Sequence, residues 1–251
     1  MCICVVPESS GQRCLWAAGL VLTRYLEEQW AHADGHFSDC VLGSGKAVLE
    51  LGAGAGLPSL CAYLAMGAAL VVATEQSSCM EYLHQNMAAN GLESCSTVMG
   101  TTLLGRRRCL DSDATDCGTG RLLLHELDWG SAVQLPRSLA PPTSLEETVE
   151  GAETFDLVLG CDVTFNRKLF PVLLRSIRLS LRSHTSRCLL CHDDESAPFT
   201  HDVLGELRRV AALNGMLVDV VDIGRTTTSP GDCFWRRGIH IWSLRIADDA
   251  T

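Results

Sequence analysis

The chain has 251 residues, of which 47% are hydrophobic, so it is long enough and apolar enough for one large α/β domain with a sizeable core. A net charge of −10 argues against a dedicated nucleic-acid-binding protein, and it suits either a basic partner or simple solubility. The 13 cysteines are scattered along the chain and odd in number. We find no signal peptide and no apolar run that could span a membrane. We therefore expect reduced thiols in a cytoplasmic or nuclear protein.

Helices and buried strands alternate along the chain. Apolar periodicity, with glycine and proline at the boundaries, predicts helices at 12–30, 58–66, 78–90 and 200–213. Continuous apolar runs predict buried strands at 47–51, 69–73, 122–127, 155–160, 187–191, 217–223 and 240–246. This rhythm is typical of right-handed βαβ units and a parallel sheet. The last two strands leave no room for a crossover helix, so we expect them to pair antiparallel at one end of the sheet.

Two segments interrupt this rhythm. Residues 104–120 are polar, charged and rich in glycine, and residues 131–153 contain three prolines and four glutamates. We interpret both as surface insertions in a single domain that spans residues 1–251.

A capping box is predicted before the first of these segments. Ser78-x-x-Glu81 has this pattern and is predicted to open the helix at 78–90.

One cysteine pattern has two interpretations. Cys188-x-x-Cys191-His192 matches the motif of covalent haem attachment, but it lies in the apolar run RCLLC. That context favours a core strand, on which Cys188 and Cys191 point to opposite faces. We also find no second ligand pair at zinc-finger spacing, so the sequence predicts neither haem nor a metal site here.

A glycine-rich loop follows the strand at 47–51. Its pattern is Glu50-x-Gly52-x-Gly54-x-Gly56, and a helix comes next, so backbone N–H groups and the positive end of a helix dipole face a ligand. A P-loop would need Lys-Ser or Lys-Thr after the glycines, and a dinucleotide fingerprint would need its third glycine at the position of Leu57. An acidic residue before the glycines would repel a pyrophosphate but can help to hold the cationic amino-acid end of S-adenosylmethionine. Glu75, at the end of the next strand, can accept both ribose hydroxyls of a nucleoside, with a solvated loop carboxylate as the alternative.

These residues are part of a wider resemblance. Four pieces carry it: Gly11-x4-Trp16, VLELGAGAGLPSL, Leu-Asp-Trp-Gly at 127–130, and FDLVLGCDVTF at 155–165. In this order they are similar to the seven-stranded S-adenosylmethionine-dependent methyltransferases, and specifically to the lysine methyltransferases of family 16 (methyltransferase-like 21). The resemblance spans residues 11–246 outside the insertions. It implies an α/β, Rossmann-like seven-stranded sheet, mostly parallel with one antiparallel strand, with helices on both faces and an N-terminal helix.

The resemblance also implies a set of cofactor-binding residues, namely Trp16, Gly52, Ala53, Gly54, Glu75, Trp129 and Cys161. By this resemblance the loop residues line the methionine and ribose, and Glu75 holds the ribose diol. Trp129 flanks the adenine, Trp16 reaches the cofactor from the N-terminal helix, and Cys161 contacts it from a strand tip. Core packing is the alternative for the two tryptophans.

Asp162 and Phe165 are the candidate catalytic residues. They follow the buried strand at 155–160, so they fall at the carboxyl edge of the sheet, where α/β folds bind ligands. Methyl transfer to an amine needs a neutral nitrogen, and Asp162 could draw in and orient a lysine ammonium while desolvation and the sulfonium charge favour its deprotonation. Phe165 could form a wall of the lysine channel. The family usually has Asp-x-x-Tyr here, so this chain lacks the tyrosine hydroxyl. A helix cap is the alternative for Asp162.

The resulting hypothesis is an S-adenosylmethionine-dependent methyltransferase that modifies a lysine of a non-histone protein with a basic surface. Methylation of a small molecule or of a histidine side chain is a second hypothesis, and a catalytically silent cofactor-binding interaction module is a third. We expect a monomer without a metal, a nucleic-acid partner or a membrane partner.

Overall fold

The computed structural model describes residues 16–31, 45–106, 120–136, 138, 153–195, 202–221 and 238–247. Its helices are α1 Ala17–Ala31, α2 Leu57–Leu64, α3 Met80–Ala89, α4 Phe170–Ser180 and α5 Val203–Leu213. Its strands are β1 Ala47–Leu51, β2 Leu70–Glu75, β3 Leu92–Val98, β4 Thr101–Arg106, β5 Arg121–Glu126, β6 Leu157–Cys161, β7 Arg187–Asp193, β8 Met216–Val221 and β9 Ile239–Ile246. None of the helices described is long and apolar enough to cross a membrane.

All nine described strands form one sheet in the order β3-β4-β5-β2-β1-β6-β7-β9-β8. From β5 to β7 neighbouring strands pair in parallel, whereas β9 is antiparallel to both β7 and β8. The predicted α/β class and the antiparallel pairing of the last two strands are confirmed. Strand order reverses at β1, which lies between β2 and β6. Such a switch point leaves a crevice at the carboxyl ends of the central strands, where α/β proteins bind ligands.

The predicted count of seven strands is wrong, since the described residues alone form nine. The additional strands β3 and β4 pair antiparallel with each other, and β4 pairs antiparallel with β5 at the edge of the sheet. The sheet therefore has two antiparallel strands, β4 and β9, where one was expected. β3 reads LESCSTV and is mostly exposed, so it lacks the apolar run on which strand prediction rests.

Two buried clusters cover the two faces of the sheet. One face packs against α1, α2 and α3, through residues such as Leu22, Leu60 and Leu83. The other packs against α4 and α5, through residues such as Leu173 and Leu207. Helices on both faces are thus confirmed, and so is the N-terminal helix, which begins at Ala17.

The structure of β7 decides between the two interpretations of the cysteine pattern at 188–192. Cys188 belongs to the cluster beneath α4 and α5, whereas Cys191 belongs to the cluster beneath α1. The two thiols are buried on opposite faces of a central strand, as predicted. Burial raises the pKa of the Cys191 thiol well above its usual range, so it is held neutral.

Three local predictions need correction. The turn before α3 is a 3-10 helix, Ser77–Cys79, and Cys79 caps α3 without a side-chain hydrogen bond, so Ser78 does not open this helix. Residues 104–106 belong to β4, and Val133 is fully buried, so neither insertion is surface throughout. Residues 107–119 and 139–152 lie outside the described part of the chain. Finally, α4 was not predicted, although its buried residues Phe170, Leu173, Leu174 and Ile177 follow helical spacing.

Candidate active site

A cavity of about 590 Å³ lies at the carboxyl ends of β1, β2, β5 and β6, within the size range of small-molecule sites. All of the predicted site residues line it, namely Trp16, Gly52, Ala53, Gly54, Glu75, Trp129, Cys161, Asp162 and Phe165. They come from four strand ends and from the start of α1, over a span of the chain from residue 16 to residue 165. The structure therefore brings the nine together, while their individual roles remain predictions.

The glycine loop between β1 and α2 forms the floor of this cavity. Gly52, Gly54 and Gly56 all have positive φ, at +64°, +53° and +73°, a conformation that favours glycine. A Cβ atom at Gly54 would meet no atom within 4 Å, so the backbone there borders open space. A Cβ atom at Gly56 would instead collide with Leu83 and Met87 of α3. Gly54 thus leaves room for a ligand, and Gly56 leaves room for a helix.

Glu75 holds the glycine loop against the tip of β2. The backbone N–H of Gly54 donates to Glu75 Oε1 at 3.1 Å, and that of Gln76 donates to Glu75 Oε2 at 2.7 Å. Each carboxylate oxygen can accept a further hydrogen bond, so these contacts leave Glu75 able to bind hydroxyl groups. Glu75 is half-buried at the cavity wall.

Glu50, the acidic residue that the sequence placed next to the cationic end of a cofactor, is a buried carboxyl group that lines the cavity. Only 1% of its surface is exposed, and the backbone N–H of Ser59 donates to Glu50 Oε2 at 3.0 Å. The Ser59 hydroxyl donates to the same oxygen. Burial raises the pKa of Glu50 to about 8, against the lowering effect of the two Ser59 bonds. The carboxyl group is therefore mostly protonated at pH 7 in the absence of a neighbouring cation.

Asp162 occupies a constrained turn directly after β6. Its φ is +53°, in the left-handed region that asparagine and aspartate tolerate better than most residues. Its N–H donates to the Cys191 carbonyl at 2.9 Å, and its Oδ1 accepts from the N–H of Asp193 at 3.0 Å. β7 thus fixes both the backbone and the carboxylate of Asp162 at the cavity wall.

Aromatic side chains surround the mouth of the cavity. Trp16 and Phe165 are each 49% exposed, and Val172 of α4 also lines the cavity. Trp129 is half-buried, and a Cβ atom at Gly52 would lie 3.4 Å from its Cζ2 atom. Trp129 therefore packs on the core and also borders the cavity, so the two interpretations of this residue are compatible.

The charges of the lining favour a cation over an anion. Four carboxyl groups line the cavity, those of Glu50, Glu75, Asp128 and Asp162, and the described lining includes no lysine, arginine or histidine. Burial also raises the pKa of Cys161 well above its usual range, so this thiol is neutral. A polyphosphate would meet carboxylates without a counter-charge, whereas an ammonium or sulfonium group would be attracted.

Several lining residues escaped prediction. Asp128 was noted only as a neighbour of Trp129. Leu169 and Val172 line the cavity because α4 begins beside it. The helical spacing of α4 and the proline at its start could have placed these two residues at the site.

The family model and the relatives that match this chain are described as lysine methyltransferases. A family model described as lysine methyltransferase matches residues 6–109. The protein N-lysine methyltransferase METTL21A of Xenopus tropicalis is 29% identical over 176 residues, which cover 70% of this chain and 58% of the frog protein. The protein N-terminal and lysine N-methyltransferase efm7 of Aspergillus fumigatus is 25% identical over 238 residues, covering 93% of this chain and 77% of that protein. The chain spans about half to three fifths of the first relatives it matches.

Solved structures support the fold. Trm1 of Pyrococcus horikoshii, in complex with S-adenosyl-L-methionine, aligns with a TM-score of 0.54 at 12% identity, covering 97% of this chain and 59% of that one. The magnesium protoporphyrin IX methyltransferase of Synechocystis PCC 6803 aligns with a TM-score of 0.50 at 15% identity, covering 92% and 81%. The resemblance predicted from the sequence and the predicted methyltransferase fold are both confirmed by these matches.

Proposed function

We propose that this chain, a relative of the lysine methyltransferases, is an S-adenosylmethionine-dependent protein N-methyltransferase that modifies a lysine side chain of a non-histone protein. One observation carries the proposal: a cavity on a glycine loop at the switch point of the sheet, lined by four carboxyl groups and by no basic side chain among its described residues. This lining suits two cations at once, the cofactor and the lysine.

The residues of the cavity fit S-adenosylmethionine in charge and in shape. When bound, this cofactor supplies an electrophilic methyl group on a positively charged sulfur. Glu50 lies at the base of the cavity, where its carboxylate would balance the cationic end of the methionine. The open backbone at Gly54 allows close approach, and Glu75 is placed to accept the ribose hydroxyls. Trp129 and Asp128 offer an aromatic face and an acceptor for a base.

The same cavity can prepare an amine for methylation. Asp162 would orient the lysine ammonium at the cavity wall, and the β7 contacts hold its carboxylate in place. Burial of the lysine beside a second cation favours the neutral amine, which is the nucleophile, against the opposing effect of Asp162 on the lysine pKa. Phe165 at the mouth offers an apolar wall and a π face to the incoming cation.

The relatives support a protein substrate, because their names describe protein methylation. The acidic balance of the chain, with 30 acidic and 20 basic side chains, favours a substrate with a basic surface. We further propose that the enzyme acts as a monomer in the cytoplasm or nucleus, without a nucleic-acid partner.

The direct test is methyl incorporation from labelled S-adenosylmethionine into proteins of a cell extract, with Asp162→Asn as the matched variant. Asparagine tolerates the positive φ of residue 162 and keeps an oxygen that can accept from the N–H of Asp193, so this change removes the charge alone. We expect unchanged affinity for S-adenosylhomocysteine by calorimetry and a loss of transfer of at least about 100-fold. Mass spectrometry of the labelled bands identifies the residue that is modified.

Phe165 provides a second comparison on the same preparations. Phe165→Tyr should remain active, because the channel wall keeps nearly the same shape, whereas Phe165→Ala should lose transfer by admitting water. Equal losses of binding and transfer in Asp162→Asn would make this residue a cofactor or folding element and would remove the catalytic assignment. Label on histidine or on a small molecule would replace the lysine assignment, and binding without any transfer would indicate an interaction module.

A further inference from the structure

The turn that carries Asp162 and Phe165 is anchored by a buried threonine–histidine pair. Thr164 Oγ1 lies 2.9 Å from His192 Nδ1, and the two residues are only 0% and 1% exposed. Cys161, Asp162, Val163 and Phe165 line the cavity, but Thr164 is absent from its lining. The hydroxyl of Thr164 therefore acts behind the turn and not in the cavity.

Three consecutive residues of β7 hold this turn. The Cys191 carbonyl accepts from Asp162 N–H at 2.9 Å, and the Asp193 N–H donates to Asp162 Oδ1 at 3.0 Å. His192, between them, reaches Thr164 with its side chain. The first two contacts fix the start of the turn, and the contact from His192 fixes its middle, one residue before Phe165.

Neighbouring groups hold the His192 ring in one orientation. It stacks on Trp242 of β9, with ring centroids 5.1 Å apart and planes 22° apart. Its Nε2 lies 3.7 Å from Asp194 Oδ1, and Asp194 Oδ2 lies 3.1 Å from Nε2 of His240, the cross-strand partner of His192. Asp194 and His240 are partly exposed, so they connect the buried ring to solvent.

These surroundings favour one position for the proton of the His192 ring. Burial lowers the pKa of His192, and His240 acts in the same direction, while the carboxylates of Asp193 and Asp194 oppose them. The ring is therefore neutral at pH 7. The Asp194 carboxylate favours a proton on the nearby Nε2, which leaves Nδ1 as an acceptor for the Thr164 hydroxyl. Protonation of the ring would turn Nδ1 into a donor and reverse this hydrogen bond.

We propose that His192 is a positioning residue, which fixes the turn between Asp162 and Phe165 by accepting a hydrogen bond from Thr164, and that protonation of its ring reverses this hydrogen bond and disturbs the turn. This inference rests on the proposed function for its activity readout. Its effect is on the placement of the amine and not on the binding of the cofactor.

The chain offers a matched control for the test. Thr101 of β4 and His125 of β5 form a second buried pair, with 2.8 Å between Thr101 Oγ1 and His125 Nδ1, and neither residue lines the cavity. Thr164→Val and Thr101→Val each remove one threonine–histidine bond and preserve the branched shape. Thr164→Ser keeps the hydroxyl and serves as the rescue.

We expect Thr164→Val to lower methyl transfer to extract proteins by at least about tenfold, with S-adenosylhomocysteine affinity unchanged, because a small misplacement at a reacting centre is costly. Thr164→Ser and Thr101→Val should stay near the native rate. Equal rates in the two valine variants, or parallel loss of cofactor affinity in Thr164→Val, would overturn the proposal.

The pH profile separates positioning from general stability. His192→Asn places an amide atom near the position of Nδ1 and does not titrate. The ratio of native to His192→Asn transfer rates should stay constant near neutral pH and fall only below about pH 6.5, because burial lowers the pKa of His192 from its ordinary value and only the native ring becomes protonated. A ratio that is independent of pH would overturn the proposal.

An activity-free measurement keeps this inference distinct from the proposed function. Amide hydrogen exchange at residues 162–165 should accelerate in Thr164→Val and not in Thr101→Val, whatever the enzyme modifies. Absence of transfer in the native protein together with this acceleration would reject the proposed function and retain the anchor. Unchanged exchange at the turn would reject the anchor itself.

Discussion

We expect Glu50 to couple cofactor binding to the release of a proton. Its pKa of about 8 means that the free protein holds this carboxyl group mostly protonated at pH 7, and a bound cation would favour its ionised form. We expect affinity for S-adenosylmethionine to rise with pH up to about 8 and then to level off. Calorimetry at pH 7 in two buffers of different ionisation enthalpy should report proton release, and Glu50→Gln should abolish it. Identical binding heats in both buffers would contradict this prediction.

The same residue predicts a stability effect in the free protein. The folded-state pKa of Glu50 is raised above its ordinary value of 4.5, so its contribution to stability is complete below about pH 4.5 and is lost as the pH rises through about 8. Glu50→Gln should therefore become more stable than the native protein above pH 8. Denaturant unfolding at pH 6 and pH 9 measures the difference.

The sequence shows which residue types form the site, but it does not show their protonation or their backbone conformation. The glycine spacing and the position of Glu75 predict a nucleoside site with a cationic ligand. The protonation of Glu50 depends on its complete burial and on Ser59, nine positions away, and neither shows in a motif. The left-handed turn at Asp162 likewise depends on β7, which follows it in the chain by 25 residues or more.

At the scale of elements, the tip of β2 and the glycine loop act as one unit through Glu75. Glu75→Ala removes acceptors from the N–H groups of Gly54 and Gln76 as well as from a ligand. We expect it to weaken S-adenosylhomocysteine binding by roughly 1.5–3 kcal/mol, the range for a hydrogen bond to a charged group, and Glu75→Gln to weaken it less. Calorimetry on both variants measures the difference.

Glu126 is the matched control for this prediction. It is the register partner of Glu75 on β5, but it is exposed and lies outside the cavity lining. Glu126→Ala should bind S-adenosylhomocysteine as the native protein does. Native affinity in Glu75→Ala would remove Glu75 from the site.

Strand prediction succeeded where burial on both faces produces a continuous apolar run. The prediction for 47–51 matches β1 residue for residue, because every residue of that strand is buried. It failed for the β3–β4 hairpin, since an edge strand with one solvated face can read as a polar loop. The carboxyl ends of parallel strands meet at one edge, which is why the predicted site residues came together although their order along the sheet was unknown.

At the scale of the whole molecule, ligand binding should be visible as thermal stabilisation. S-adenosylmethionine and S-adenosylhomocysteine at 100 times their Kd should each stabilise the folded state by about 2.7 kcal/mol, by mass action. For a chain of this length that corresponds to a rise in Tm of roughly 5–10 °C. ATP and NAD should produce no such rise, because their phosphates would face the carboxylates of the cavity. Stabilisation by NAD alone would refute the interpretation of the cavity.

The left-handed backbone at Asp162 limits which residues can replace aspartate at this position. At a φ of +53°, glycine and asparagine are the replacements that avoid steric strain, and both lack the carboxylate. In a saturation library, those two variants should accumulate as folded but silent proteins, while branched and bulky replacements should disappear from the soluble fraction. On the catalytic role proposed for Asp162, an active domain has no neutral path away from aspartate at this position, whereas a descendant that had lost methyl transfer would drift first to asparagine or glycine.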